Sequence, residues 1–129
     1  MPNFLAYLIG VLGALVLCLG ATQFSDQIVV EFFGAFLALT AASYFGSALS
    51  QKNFVVFVQE SAISLAIFGT ALLGLWLSPL WISLGYFAHG AWDLVHHSHR
   101  GGAKIFFTWF PPACLTFDWI VALYLLWRV

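Results

Sequence analysis

The sequence predicts an all-α, polytopic integral membrane protein whose five transmembrane helices form one compact bundle, a single domain over residues 1–129. Hydrophobic residues make up 63 % of the chain and charged residues 7 %, and the mean hydropathy is +0.99, so too few polar side chains exist to cover a water-soluble domain. The apolar residues fall into five segments, most of them close to the ~20 residues that cross a bilayer. A formal net charge of −1 offers no basic surface to nucleic acid. The lipid bilayer is therefore the expected partner, and nucleic acid is not.

The first two segments are Phe4–Ala21 and Gln27–Ser50. A cleaved signal peptide is the alternative for the first, but no Lys or Arg precedes it, which favours a retained helix. Both segments repeat small residues every four positions, a pattern that lets helix backbones approach closely in lipid. The sequence therefore predicts that these two helices pack on each other through two ladders, Ala6, Gly10, Ala14 and Cys18 in the first and Gly34, Ala38, Ala42 and Gly46 in the second.

Turns that contain proline or polar residues separate the remaining segments. The third runs over Asn53–Leu77, and Ser78-Pro79 separates it from the fourth, Leu80–His99. The fifth is predicted from Pro112 to Trp127. Because that is short for a span, an earlier start with a kink at the prolines is the alternative.

Loop charges predict the orientation. Lys52, Arg100 and Lys104 lie in the turns after the second and fourth helices, and the opposite turns hold no Lys or Arg. The positive-inside rule then places the N-terminus in the cytoplasm and the C-terminus outside, in a bacterial inner membrane.

All four histidines lie in one stretch, Tyr86–Arg100. On a helix with about 100° per residue, His89, Asp93 and His96 fall within an arc of roughly 60°, with His97 beside it and Trp92 leaning away. Imidazole and carboxylate groups on one helical face are the donors that a metal ion such as zinc requires.

Carboxylates from three helices are predicted to meet these histidines. At ~1.5 Å per residue, Glu60, Asp93 and Asp118 lie about 8–9 Å below the cytoplasmic face, whereas Glu31 lies near the other face. Converging acids repel one another unless they hold protons or a cation, and a divalent metal, zinc or iron, satisfies them. The alternative is ordinary buried hydrogen bonding. The predicted catalytic residues are Glu60 and Asp118, and the predicted metal ligands are His89, Asp93, His96, His97 and Asp118.

Three resemblances to known families rest on these residues. The spacing His89-x3-Asp93-x2-His96-His97 resembles the histidine boxes of membrane fatty-acid desaturases and hydroxylases. The string His-Gly-x-Trp-Asp-x2-His-His, followed by Cys114-x3-Asp118, resembles a group of small uncharacterised bacterial integral membrane proteins. The mixture of Asp and His across helices is similar to membrane zinc hydrolases of the ceramidase type. The first resemblance covers little more than ten residues, and the second implies no activity.

The function predicted from the sequence is a metal-dependent hydrolase or oxidoreductase that takes a lipid-like small molecule from the cytoplasmic leaflet. One alternative is a small proton- or metal-coupled transporter, which at this length needs to form a homodimer. Another is an accessory subunit of a larger membrane complex. The outer half of the bundle offers only Asp26, Glu31 and a few hydroxyls as a polar path, which favours an enzyme or a metal-binding protein over a transporter.

Overall fold

The computed structural model describes residues 3–97 and 108–128, and within those ranges the regular elements are five α-helices. The all-α class and the helix number predicted from the sequence are confirmed. The predictions on Arg100, Lys104 and His99, and on the side chain of His97, lie outside the described residues. The helices are α1 Asn3–Ala21, α2 Asp26–Leu49, α3 Phe54–Trp76, α4 Leu80–His97 and α5 Phe110–Arg128.

The starts of three helices follow local chemistry. The Ser25 side chain accepts a hydrogen bond from the third backbone N–H of α2. Asn53 Oδ1 accepts from two backbone N–H groups of α3 at 2.9 and 3.3 Å, and both residues are preferred N-caps. Helix α5 begins at Phe110, earlier than the predicted Pro112. Its two prolines lie in the first turn, where a missing N–H removes no intrahelical hydrogen bond.

Successive helices run antiparallel. Arg128, at the end of α5, donates to the carbonyls of Ala21, the last residue of α1, and of Phe24 just after it. It also forms an ion pair with Asp26 at the start of α2. The α3–α4 turn lies at the same end, where it lines a cavity of about 420 Å³ together with Asp26 and Arg128. We call this the Asp26 end, and the opposite one, at the α2–α3 turn, the Lys52 end.

The order of packing around the bundle differs from the order in the chain. Helix α1 packs on α5, α5 on α4, α4 on α3 and α3 on α2, and α2 also contacts α4. The prediction that the first two helices pair through their ladders is therefore wrong. A Cβ added at Gly10 of α1 would lie 2.0 Å from the carbonyl oxygen of Ala113 in α5. A small-residue ladder marks a surface for close approach, but it does not specify which helix approaches.

The bundle has an apolar interior and an apolar outer surface. Its apolar core contains Phe33, Leu37, Ile82, Tyr86 and Leu125, all fully buried. Large apolar side chains also point outward from every helix, among them Leu12, Leu39, Leu65, Leu84 and Leu123. Helices α1, α2, α3 and α5 are long and apolar enough to cross a membrane. An apolar surface around an apolar core is the arrangement of a membrane-embedded bundle.

Replacement of Arg128 is expected to weaken the Asp26 end. Its guanidinium donates to Asp26, Ala21, Phe24 and the Tyr124 hydroxyl. Arg128→Ala and Arg128→Lys should both lower the thermal unfolding temperature in detergent, because a single ammonium cannot reproduce the planar fork of donors. The control is Lys52→Ala, since Lys52 is exposed at the opposite end. An unfolding temperature equal to that of the wild type in both Arg128 variants would contradict this role.

Candidate metal centre

Most of the buried ionisable side chains gather in the half of the bundle nearer the Lys52 end. Glu60 of α3, His89 and Asp93 of α4 and Asp118 of α5 are 0–1 % exposed, and His96 of α4 is 7 % exposed. Glu60 lies six residues from the start of α3, about 9 Å along its axis. Ionisable groups inside a membrane bundle are retained only where they pair with one another or carry a function.

His89, Asp93 and Asp118 form one cluster, which we call the triad. The Nδ1 atom of His89 lies 2.6 Å from Asp118 Oδ2 and 3.3 Å from Asp93 Oδ2. Each of the three residues offers a ligand atom, and these atoms all lie within 4.8 Å of one another. Asp93 follows His89 by one helical turn, whereas Asp118 comes from the neighbouring helix. The structure thus brings three of the residues singled out in the sequence to one point.

Gly90 explains how α4 and α5 approach closely enough to build the triad. A Cβ at this position would lie 2.7 Å from the Trp119 indole and 3.3 Å from the Cβ of Asp118. A larger residue would have to displace the Trp119 indole and would press on the Cβ of Asp118. The glycine that follows His89 is therefore a requirement of helix packing at the site.

Several polar atoms of the triad are buried without a hydrogen bond. These are Nε2 of His89, Oδ2 of Asp93 and Oδ1 of Asp118, counted among the described residues. Nδ1 of His89 carries at most one hydrogen, so it cannot make a full hydrogen bond to each carboxylate. An unsatisfied buried polar group costs ~1–3 kcal/mol, more when it is charged. The triad therefore has lone pairs available for a cation, for protons or for water.

With both aspartates ionised, the charges of the triad do not balance. Two ionised aspartates and a neutral imidazole carry −2, and a protonated imidazole still leaves −1. An uncompensated charge in a low-dielectric interior is strongly disfavoured. One divalent cation with a neutral His89 gives zero net charge. A set of one imidazole nitrogen and two carboxylates is a donor set for zinc or iron, since imidazole suits both metals and carboxylates are hard oxygen donors.

Glu60 and His96 form a second cluster, which we call the pair. Nε2 of His96 lies 3.0 Å from Glu60 Oε1, and the Trp92 indole donates to Glu60 Oε2 at 3.1 Å. The sequence spacing directs Trp92 away from His89 and Asp93, yet its indole reaches the acid of the adjacent α3. Nδ1 of His96 lies 3.0 Å from the Trp92 carbonyl oxygen. Because that oxygen only accepts, Nδ1 carries a hydrogen and donates it.

The pair is electrically neutral with a single shared proton, whereas the triad needs a divalent cation or two protons for the same balance. With Nδ1 of His96 donating, the contact between Nε2 and Glu60 holds one proton, either on the ring or on the carboxyl group. Both arrangements have zero net charge. Both ring nitrogens of His96 are engaged in this state. That His96 is a metal ligand and that Glu60 is catalytic therefore stay predictions.

Tyr44 of α2 connects the two clusters and was not identified from the sequence. Its hydroxyl donates to Asp93 Oδ1, and its ring centroid lies 5.2 Å from that of His89 and 4.7 Å from that of His96. The available signal was the buried stripe of α2, which consists of Val29, Phe33, Gly34, Leu37, Ala41, Tyr44 and Ala48. On that stripe Tyr44 is the residue with a polar tip, at the level of the acids.

Glu31 stands apart from the site, as the sequence predicted. It is exposed and accepts a hydrogen bond from the Gln27 side chain at 3.0 Å, near the Asp26 end. Cys18 and Cys114 are free thiols. The side chain of His97, a further predicted ligand, lies outside the described residues.

Comparison with known proteins gives a family but no activity. No curated protein matches the chain, and no solved structure matches it. Residues 5–129 match DUF6010, which is described as a family of unknown function. Because the match covers nearly the whole chain, the protein belongs to the DUF6010 family.

Proposed function

We propose that this protein is a membrane-embedded, metal-dependent enzyme whose triad holds one divalent cation, zinc or iron, and acts on a lipid-like substrate. The observation that supports it is the convergence of His89, Asp93 and Asp118 at 0–1 % exposure with unsatisfied lone pairs. The charge of −2 that the two aspartates carry when ionised is the second support, since a divalent cation neutralises it.

Three protein ligands suit a catalytic centre better than a structural one. Structural zinc sites are closed by four protein ligands, whereas catalytic sites use three and leave a position for water or substrate. A bound divalent ion supplies a Lewis acid that polarises a carbonyl or activates a water molecule. Asp118 is the ligand that comes from α5, so the centre spans two helices.

The pair is the proposed site of proton transfer. General acid–base catalysis needs a group that can take or give a proton beside the reacting centre. Glu60 and His96 share one proton, and Tyr44 packs on the rings of both His96 and His89. Glu60 is the proposed proton acceptor, with His96 as its partner.

The position of the site supports a substrate that resides in the bilayer. The site lies about 9 Å from the Lys52 end, within one leaflet of a ~30 Å hydrocarbon core. Exposed apolar side chains surround the bundle, so an acyl chain can approach without crossing water. With the Lys52 end in the cytoplasm, the N-terminus is cytoplasmic, the C-terminus is outside, and the substrate comes from the inner leaflet of a bacterial inner membrane.

A proton-coupled transporter is the second candidate. The contacts Glu60–His96, Tyr44–Asp93 and His89–Asp118 bring polar groups of four helices together. His89 lies 3.3 Å from Asp93, and the Tyr44 ring packs on the His96 ring. Buried relays of ionisable groups occur in pumps and transporters. The apolar core around Phe33, Leu37 and Leu125 lies between these polar groups and the Asp26 end, where a transporter needs a polar path. That core favours the enzyme. Proton uptake by reconstituted liposomes, without bound metal, would favour the transporter.

Elemental analysis of purified protein tests the metal centre. The wild type is expected to hold one zinc or iron per chain. His89→Ala, Asp93→Asn and Asp118→Asn should each lose it, because each removes a ligand, or the charge that makes it one, from a three-residue site. Glu31→Gln is the matched control, because it also removes a carboxylate but at the exposed far end.

Two outcomes would contradict the proposal. One is a wild type purified without metal that takes up neither Zn²⁺ nor Fe²⁺. The other is equal metal content in all five proteins, which would place the ion elsewhere. Either result would favour the alternative interpretation, in which the triad makes only ordinary buried hydrogen bonds.

A further inference from the structure

Tyr44 occupies a position that packing alone does not explain. It is 2 % exposed, and its hydroxyl donates to Oδ1 of Asp93. A buried tyrosine needs an acceptor for its hydroxyl, and Tyr86 shows the ordinary solution in this bundle. Tyr86 is fully buried and donates to the backbone carbonyl of Phe33 at 2.9 Å. Tyr44 instead engages one oxygen of a carboxylate that belongs to the triad.

The hydrogen bond from Tyr44 determines which oxygen of Asp93 is available. Oδ1 is occupied by the hydroxyl, whereas Oδ2 has no hydrogen bond and lies 3.3 Å from His89 Nδ1. Rotation of the carboxylate about its χ2 bond would break the bond to Tyr44. The hydroxyl therefore holds Asp93 with Oδ2 directed toward His89.

The ring of Tyr44 restrains the two histidines as well. It meets the His89 ring edge-on at 63° and the His96 ring in a tilted stack at 31°. An imidazole that binds a metal must keep one nitrogen on the ion, and neighbouring groups set its orientation. Tyr44 thus contacts both metal-binding residues of α4 and one member of the pair.

We propose that Tyr44 is a positioning residue of the metal centre. Through its hydroxyl it presents Asp93 to the ion as a one-oxygen ligand by way of Oδ2, and through its ring it holds the His89 imidazole in place. This inference rests on the proposed metal site. It adds a residue from α2 to a centre whose ligands come from α4 and α5.

Titration with Co²⁺, whose visible absorption reports coordination geometry, tests the inference in metal-stripped protein. Tyr44→Phe removes only the hydroxyl. It is expected to weaken Co²⁺ binding about 10–100-fold, as loss of a group that orients a ligand does, and to change the Co²⁺ absorption bands. Tyr86→Phe is the matched control, because it also deletes a buried tyrosine hydroxyl bond, but one made to the backbone carbonyl of Phe33 instead of to a triad residue. It should leave affinity and spectrum unchanged, even if it lowers the unfolding temperature.

The outcomes separate this inference from the function on which it rests. A wild type that binds no Co²⁺ overturns both. If the wild type binds Co²⁺ and Tyr44→Phe binds it with the same affinity and the same spectrum, only the role of Tyr44 is overturned. Equal losses in Tyr44→Phe and Tyr86→Phe would also overturn it, since a general loss of packing would then explain both.

A second measurement needs no substitution at Tyr44. Fluorotyrosine in the wild-type chain gives ¹⁹F resonances for the four tyrosines, and Phe variants of Tyr7, Tyr86 and Tyr124 assign that of Tyr44 by elimination. Paramagnetic Co²⁺ is expected to shift the Tyr44 resonance strongly. A Tyr44 resonance that does not move on Co²⁺ binding would overturn the inference even if Tyr44→Phe does not fold.

Discussion

Gly10→Ala is expected to separate α1 from α5 and to lower the free energy of unfolding by about 3 kcal/mol, the upper part of the usual range for overpacking. The added Cβ would lie 2.0 Å from the carbonyl oxygen of Ala113 and 2.1 Å from Thr116 Oγ1. A backbone carbonyl inside a helix cannot rotate away, so the two helices must move apart. That movement would also break the hydrogen bond from Thr116 to the carbonyl of Tyr7, now 3.0 Å.

Thermal and denaturant unfolding in detergent measure the effect of Gly10→Ala. Gly20→Ala is the matched control, since it lies on the same helix with nothing within 4 Å of the added Cβ. It should be neutral or slightly stabilising, because alanine favours helix more than glycine does. Equal stability of the two variants would show that α1 does not pack on α5 through Gly10.

His96→Leu is expected to cost about 3 kcal/mol of stability. The imidazole that shares a proton with Glu60 would be gone, and the fully buried carboxylate would lose its partner at Oε1. Removing one member of a buried pair costs ~3–5 kcal/mol in soluble proteins. The cost of an acid at the centre of a membrane helix is ~2.5–3.5 kcal/mol on insertion scales.

The double variant Glu60→Leu/His96→Leu distinguishes a pairing effect from a packing effect. If the balanced pair explains the loss, removing both groups should recover most of the stability lost in His96→Leu, because no unpaired carboxylate remains. If the double variant loses as much stability as His96→Leu and Glu60→Leu lose together, the pairing would be contradicted. Metal content of His96→Leu provides a separate measurement. Loss of metal at unchanged stability would make His96 a ligand, as the sequence predicts.

Local patterns in the sequence determined the helices and their positions along the chain. Helix existence follows from apolar segments of nearly bilayer length, and the ends follow from caps such as Asn53, which depend on neighbouring residues alone. The common level of Glu60, Asp93 and Asp118 was also predictable, because depth along a helix is proportional to residue number. So was the shared face of His89 and Asp93, which are one turn apart on the same helix.

Only the tertiary structure decided which surfaces meet. The small-residue face of α1 packs on α5 rather than α2, and the polar groups divide into a triad and a pair joined by Tyr44. In lipid, helices associate through shape and interhelical hydrogen bonds, since apolar surface is equally satisfied by lipid and by protein. Hydropathy therefore cannot indicate the partner of a helix or its rotation about its axis. Those depend on contacts between residues far apart in the chain, such as Tyr44 and Asp93, which are 49 positions apart.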